Sequence, residues 1–225
     1  MRHTLAGAFA SIFNVVYLVI GLNILLALTC APVWLLALFV PLKNSWLWLA
    51  LSGVLLGPAL AGAYAVFRAF KIDESVTIFK TYLTEWAHSW RRVWLPALCL
   101  SLCGLVIGLD VYVMWRWGHL ALALPLAVVL VALGLATASV AWVGFAARPD
   151  LGWWAVVKAS AYLAIRQPGW SLLTLVMLAV AAAAIWVSPL IGLGLVATPV
   201  LYVVWSDSRR VFARFLPADE VPHEA

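Results

Sequence analysis

The sequence predicts an all-α membrane protein, a bundle of about six transmembrane helices in hairpins with amphipathic helices between them. Three observations predict this class: the apolar composition, the length of the apolar segments and the grouping of basic residues between them. Of the 225 residues, 66% are hydrophobic and 10% are charged, whereas an ordinary soluble domain is about 45–50% apolar and about 25% charged. Lipid is therefore the expected solvent for most of the chain.

Each spanning helix needs on the order of 20 mostly apolar residues, and the chain divides into segments of about this length. They run near Ser11 to Val40, Trp46 to Phe67, Val93 to Trp115, Leu120 to Ala147, Trp170 to Trp186 and Pro189 to Trp205. Pro32 lies in the first segment, so this helix is expected to kink, tilt or end early. No Gly/Ser- or Pro-rich linker divides the chain. Residues 1–225 are therefore predicted to form a single transmembrane bundle domain with a short polar tail from 206 to 225.

The basic residues predict the orientation, because Lys and Arg are enriched in short cytoplasmic loops. With the N-terminus in the cytoplasm, all of the 14 basic residues except Lys43 and Arg116 fall on the cytoplasmic side. Most of the 14 tryptophans fall at the predicted ends of the spans, at the headgroup level that indole rings favour. Both termini are therefore predicted to be cytoplasmic.

Two cytoplasmic connections are predicted to be amphipathic helices, near residues 75–92 and 150–167. In the first, the apolar face holds Phe79, Tyr82, Leu83, Trp86 and Trp90. In the second, one face holds Trp154, Val157, Ala161 and Ile165, and another holds Lys158, Tyr162 and Arg166. Each helix leads directly into the next span. The first is expected to lie along the cytoplasmic surface with its aromatic side chains buried against lipid or the bundle.

Polar side chains inside the predicted spans are few, and the candidates are Asn14, Asn23, Tyr64 and Asp110. An amide in hydrocarbon usually bonds to a neighbouring helix, so Asn23 is expected to fix packing rather than to bind a solute. Intramembrane acids are functional candidates by default. Asp110 lies only about four residues from the outer end of the third span, and this position favours a structural role.

Small residues in the third span and the cysteines are expected to serve packing. Gly104 and Gly108 form a small-xxx-small pair, which lets another helix approach closely, and contact within the bundle is favoured over dimerisation. The three cysteines, Cys30, Cys99 and Cys103, have no nearby His or acidic partners that would make a metal site. They are predicted to be small buried hydrophobic residues.

One series of residues follows a pattern known from other membrane proteins. The series is Asn23, Pro32, Gly57-Pro58-Ala59, Ala63, Tyr64, Arg68, Thr77-Ile78-Phe79 and Trp90-Arg91-Arg92. Its order and spacing resemble the YesL-like family of small integral membrane proteins, a domain of unknown function, over most of the chain. The resemblance implies a bacterial inner-membrane accessory protein of the kind often associated with carbohydrate uptake systems of the ATP-binding-cassette type. It implies no catalytic residues.

The first functional hypothesis is a non-enzymatic accessory protein that docks a partner, such as the permease or ATPase of a carbohydrate importer, through its amphipathic helices. The same helices can instead lie on anionic membrane lipids. The candidate residues for either role are Phe79, Tyr82, Trp86, Trp90, Arg91, Arg92, Lys158 and Arg166.

Two other function classes stay open. A small-solute-binding or transporting bundle would use the polar set Asn14, Asn23, Tyr64, Thr137, Ser139 and Thr198, and a cavity lined by this set would favour it. An intramembrane enzyme would need gathered titratable groups, which the spans lack. No phosphate loop, nucleophile elbow, metal motif or dinucleotide fingerprint occurs, so no cofactor is expected. The basic residues are too dispersed to predict binding of a nucleic acid.

Overall fold

The structure is a computed structural model that describes residues 2–39, 52–72, 77–147, 151–188 and 192–212. About 95% of it is helical, and these ranges contain no strand. The α-helices are α1 (Arg2–Thr29), α2 (Ala31–Phe39), α3 (Leu56–Ile72), α4 (Ile78–Arg116), α5 (Leu120–Ala147), α6 (Trp153–Arg166), α7 (Pro168–Val187) and α8 (Ala197–Phe212). A 3-10 turn, Gly53–Leu55, precedes α3, and a π-helical segment, Gly192–Val196, precedes α8. The predicted all-α class is confirmed.

Among the described residues, four segments are long and apolar enough to cross a membrane, namely Gly53–Ile72, Ile78–Arg116, Leu124–Ala147 and Pro168–Ile185. They overlap the second to fifth predicted spans. Phe13–Thr29, from the first predicted span, is apolar but shorter. The expected loop at Lys43 and the start of the second span at Trp46 lie outside the described residues.

The first predicted span is two helices, because α1 ends at Thr29 and α2 begins at Ala31. Pro32 supplies the reason: it has no N–H to continue the helical ladder, and its ring would clash with the carbonyl of residue 28. The chain turns at Cys30, whose carbonyl accepts a 2.9 Å hydrogen bond from the Val33 N–H. Of the expected outcomes at Pro32, an early helix end is the one observed.

The first amphipathic segment and the third predicted span are one continuous helix, α4, of 39 residues. At 1.5 Å per residue it is about 58 Å long, roughly twice the thickness of the hydrocarbon core. A separate surface helix was expected here. One buried stripe explains the continuity, since it passes from the amphipathic segment into the span without a break in helical phase and packs along α3. The stripe contains Ile78, Tyr82, Ser89, Val93 and Ala97.

Helix α3 is the centre of the bundle, because every residue from Gly57 to Phe67 except Leu60 is buried. Most of these residues are small, which lets neighbouring helices approach closely on several sides. The Trp142 side chain of α5 lies against this segment, and its indole N–H donates a buried 3.1 Å hydrogen bond to the Gly57 carbonyl. Small residues on α3 therefore place α4 and α5 in direct contact with it.

The small-residue pair of the third span does not pack inside the bundle. Both glycines are exposed, and a β-carbon added at either would meet no described residue within 4 Å, so the expectation of internal packing was wrong. Cys30 is buried as expected, but Cys99 and Cys103 are exposed. The reason is the same in each case: the buried stripe of α4 ends at Ala97, and a helix that is apolar all round does not reveal which side faces lipid.

Candidate functional site

The aromatic residues predicted for docking in the first half of α4 differ in how deeply they are buried. Tyr82 is fully buried, and its hydroxyl shares a 2.8 Å hydrogen bond with the Thr29 hydroxyl of α1. It therefore joins α1 to α4 and is covered by the bundle. Phe79 is 39% exposed and Leu83 is 48% exposed, so of the two expected surroundings, lipid and the bundle, the bundle does not cover them. Only one face of α4 can pack on α3, and this face consists of the positions in helical phase with Tyr82 and Val93.

Trp86 and Trp90 are half-buried, and their rings meet edge to face with centroids 5.8 Å apart. Trp86 packs against the main core, and its buried indole nitrogen has no hydrogen-bond partner among the described residues. A charged substitution at Trp86 would therefore disturb folding as well as any docking. The exposed residues around this pair are better reporters of a binding function.

A basic cleft lies where the first amphipathic segment meets the beginning of α6. It has a volume of about 230 Å³ and is lined by Arg91, Arg92, Trp94, Leu95, Phe145, Leu151 and Trp153. Both arginines are exposed, and the described residues of this lining include no carboxylate. Trp94 and Trp153 add exposed indole surface. The cleft thus joins the two segments predicted from the sequence into one concave surface that is both cationic and aromatic.

The second amphipathic helix, α6, buries a different face from the one expected. Its buried residues are Val156, Ser160, Leu163 and Ala164, whereas Trp154 and Ile165 are exposed. The small and aliphatic side chains allow α6 to pack closely on α5, and the larger side chains stay outside. Lys158 and Arg166 are exposed as expected. The Arg166 guanidinium donates a hydrogen bond to the Tyr162 hydroxyl and lies 5.6 Å from its ring centroid.

Asn23 is a structural bridge between α1 and the start of α8. Its side chain is 3% exposed, and its amide nitrogen donates to the Gly194 carbonyl at 2.7 Å. Its amide oxygen accepts from the Thr198 N–H at 3.0 Å and from the Thr198 hydroxyl at 2.7 Å. Residues 194 and 198 are four apart, the spacing at which two backbone groups of an α-helix bond to each other. The Asn23 amide thus takes the place of the backbone hydrogen bond between residues 194 and 198, beside the π-helical segment. A side chain inserted between two backbone groups in this way is a known cause of helix distortion.

The remaining polar candidates do not gather around Asn23. Asn14 is half-buried on α1, and Asp110 is exposed on α4. Tyr64 is 2% exposed and lines a central cavity of about 490 Å³ that touches α1, α3, α4, α5, α7 and α8. Ser139 is the one other member of the predicted polar set in its lining. The cavity wall is otherwise mostly aliphatic, so it suits an apolar molecule better than a polar solute.

Asp207 and Ser208 were not singled out from the sequence, which placed them in a polar tail. Helix α8 instead continues to Phe212, and Asp207 is only 7% exposed. Burial raises the pKa of the Asp207 carboxyl above its ordinary value, and the positive charge of Arg210 partly lowers it. The signal was present in the sequence, since Val204, Ser208 and Val211 repeat at helical spacing past the apolar segment.

The apolar helices and their packing indicate a helical membrane protein with a cationic, aromatic cleft beside α4 and α6. Comparison with known proteins adds no closer identity. No protein-family model, no curated protein and no solved structure matches the chain.

Proposed function

We propose that the chain is a non-enzymatic accessory protein of a bacterial plasma membrane that binds a cytoplasmic partner through the basic cleft. The observation that carries the proposal is the cleft itself, in which Arg91 and Arg92 stand beside the exposed indoles of Trp94 and Trp153. Arginine and tryptophan are the residue types that most often dominate binding energy at protein interfaces. A concave surface of this composition suits an acidic segment that also carries apolar side chains.

The resemblance to YesL-like proteins supports a permease or ATPase of a carbohydrate importer as this partner. Exposed residues on α6 enlarge the surface available to it, because Trp154, Lys158 and Ile165 lie outside the bundle. Anionic lipid headgroups are the competing occupant, since a phosphate accepts the same bidentate hydrogen bonds from arginine as a carboxylate does. An experiment on the two arginines distinguishes these occupants.

The double variant Arg91→Gln/Arg92→Gln should reduce recovery of a protein partner from native membranes by about tenfold or more, because two charge-assisted contacts are lost. The measurement is affinity purification followed by quantitative mass spectrometry of the copurified proteins. Arg116→Gln is the matched control, since Arg116 is an exposed arginine at the opposite end of α4, and it should leave recovery unchanged. Equal recovery with the double variant, or a loss of bound lipid without a loss of protein, would contradict docking.

We place both termini in the cytoplasm and propose six spans, of which the described helices include four of sufficient length. The distribution of basic residues supports this orientation. It puts the basic cleft and the end of α8 on the cytoplasmic side and the turn between α4 and α5 outside.

In intact cells, a cysteine replacing Gly118 should react with an impermeant thiol reagent, while one replacing Arg210 should react only after the cells are opened. Both positions are exposed, so side-chain access does not limit either reaction. Asp207 is unsuitable for this purpose because it is buried. Cys99 and Cys103 are exposed and should be replaced by alanine beforehand. Labelling at position 210 in intact cells would reverse the topology.

A second candidate function, binding or transport of a small molecule, is favoured by the central cavity of about 490 Å³. Its volume lies within the range of about 300–1,000 Å³ typical of ligand sites. The Asn23 and Thr198 side chains are bonded to each other and do not line the cavity, so little polar lining remains for a hydrophilic solute. An apolar compound recovered in equal amounts with the purified chain would favour this function over docking.

A further inference from the structure

A small polar cavity lies between α5, α6, α7 and α8, and it shares Ser139 with the central cavity. Its volume is about 10 Å³, which is room for one particle the size of a water molecule. Six polar residues are among those that line it: Ser139, Gln167, Ser171, Thr174, Asp207 and Ser208. Most other buried residues of the described chain are apolar, so this concentration of oxygen-bearing side chains is unusual in the bundle.

Two buried oxygen atoms at this cavity have no hydrogen-bond partner among the described residues, Asp207 Oδ2 and Ser208 Oγ. The side chains that carry them are 7% and 2% exposed. A buried oxygen without a partner costs about 1–3 kcal/mol, and more if it is charged. An occupant that contacts both oxygens would remove this cost.

The hydroxyl groups around the cavity favour an occupant that the lone pairs of their oxygens can bind. Ser139 donates its hydrogen to the Ala136 carbonyl at 2.8 Å, and Ser171 donates its hydrogen to the Ala164 carbonyl at 2.7 Å. Their oxygens are therefore left as acceptors, and an ionised Asp207 carboxylate is an acceptor only. A set of oxygen acceptors around one small space is the environment of a hard cation.

The charge of the site limits the kind of cation. Asp207 is the one carboxylate among the described residues of the lining, whereas sites for Ca²⁺ usually gather several carboxylates and carbonyls. No cluster of three or more His, Cys, Asp or Glu side chains occurs in the part of the chain that the structure describes, which argues against a transition metal there. A monovalent cation matches the single carboxylate and the oxygen ligands, and the positive charge of Arg210 near Asp207 disfavours a more highly charged ion.

We propose that this cavity binds one Na⁺ ion, with the Asp207 carboxylate and the Ser208 hydroxyl as its principal ligands. Ser139 and Ser171 provide further oxygens from α5 and α7. Na⁺ suits this site better than K⁺ because the few side-chain oxygens around the space match the smaller coordination number of Na⁺, whereas K⁺ takes more oxygen ligands. A bound ion would tie the end of α8 to α5 and α7, and the folded bundle would be stabilised in proportion to its occupancy.

The full chain in detergent micelles should bind ²²Na⁺ saturably with a stoichiometry near one, and Asp207→Asn should weaken this binding by about tenfold or more, since the charged ligand is lost. The thermal unfolding midpoint should rise when NaCl replaces an equal concentration of N-methyl-D-glucamine chloride. That rise should be absent in Asp207→Asn and much reduced in Ser208→Ala. KCl should produce a smaller rise than NaCl.

Asp110→Asn is the matched control, because it removes a carboxylate that is exposed on α4 and should leave Na⁺ binding intact. If Asp207→Asn fails to fold, Ser208→Ala supplies the test, since it removes a ligand oxygen without changing charge. Absence of saturable binding would mean that the cavity holds only water and would overturn the proposal. An equal effect of Na⁺ and K⁺, or one retained in both ligand variants, would also overturn it.

Discussion

Replacing Asn23 by alanine should lower the free energy of unfolding by about 2–3 kcal/mol, the largest effect expected of any polar residue in the bundle. The substitution removes three hydrogen bonds to Gly194 and Thr198. It leaves the Gly194 carbonyl, the Thr198 N–H and the Thr198 hydroxyl without the Asn23 amide as their partner. Reversible unfolding in mixed micelles measures the loss.

Asn14 provides the control for this prediction, because it is an amide on the same helix that is only half-buried. Its side chain makes no hydrogen bond to another described residue. Asn14→Ala should therefore change the free energy of unfolding by less than about 0.5 kcal/mol. Asn23→Leu keeps much of the volume and should still be destabilising, which distinguishes hydrogen bonding from loss of packing. A neutral Asn23→Leu variant would show that the amide bridge contributes little.

The second large effect is expected at Gly57, where three helices meet. Gly57→Ala should cost about 1–3 kcal/mol, the usual range for overpacking a core. A β-carbon at this position would lie 2.8 Å from the Ala97 β-carbon, 3.3 Å from Trp142 Cζ2 and 3.4 Å from the Val93 carbonyl oxygen. The helices must separate to admit it, and that movement also strains the hydrogen bond from Trp142 to the Gly57 carbonyl.

A compensating change tests this explanation directly. Ala97→Gly removes the nearest atom, so it should restore part of the stability lost in Gly57→Ala, and a double-mutant cycle measures the coupling. Restoration should be incomplete because the Trp142 and Val93 contacts remain. Gly104→Ala and Gly108→Ala are the controls, since nothing lies within 4 Å of either added β-carbon. If all three single variants are equally stable, close packing at Gly57 does not hold α3, α4 and α5 together.

The sequence alone determined the all-α class of the fold and the approximate positions of its long apolar helices. Apolar length predicted the four segments that can cross a membrane, because a helix must bury its backbone polar groups over the full thickness of the lipid. Pro32 predicted a disruption of the first helix, and an amide in hydrocarbon predicted a packing role for Asn23. These features depend on local chemistry that needs no knowledge of the neighbouring helices.

Only the tertiary structure decided which side of each helix faces the bundle. A membrane helix can be apolar all round, so periodicity did not show that Cys99, Gly104 and Gly108 lie on the exposed side of α4. The register of α4 on α3 exposed Phe79 and buried Tyr82 for the same reason. The polar cavity at Asp207 and the basic cleft are formed by residues far apart in the chain, and only the packing of the helices brought them together.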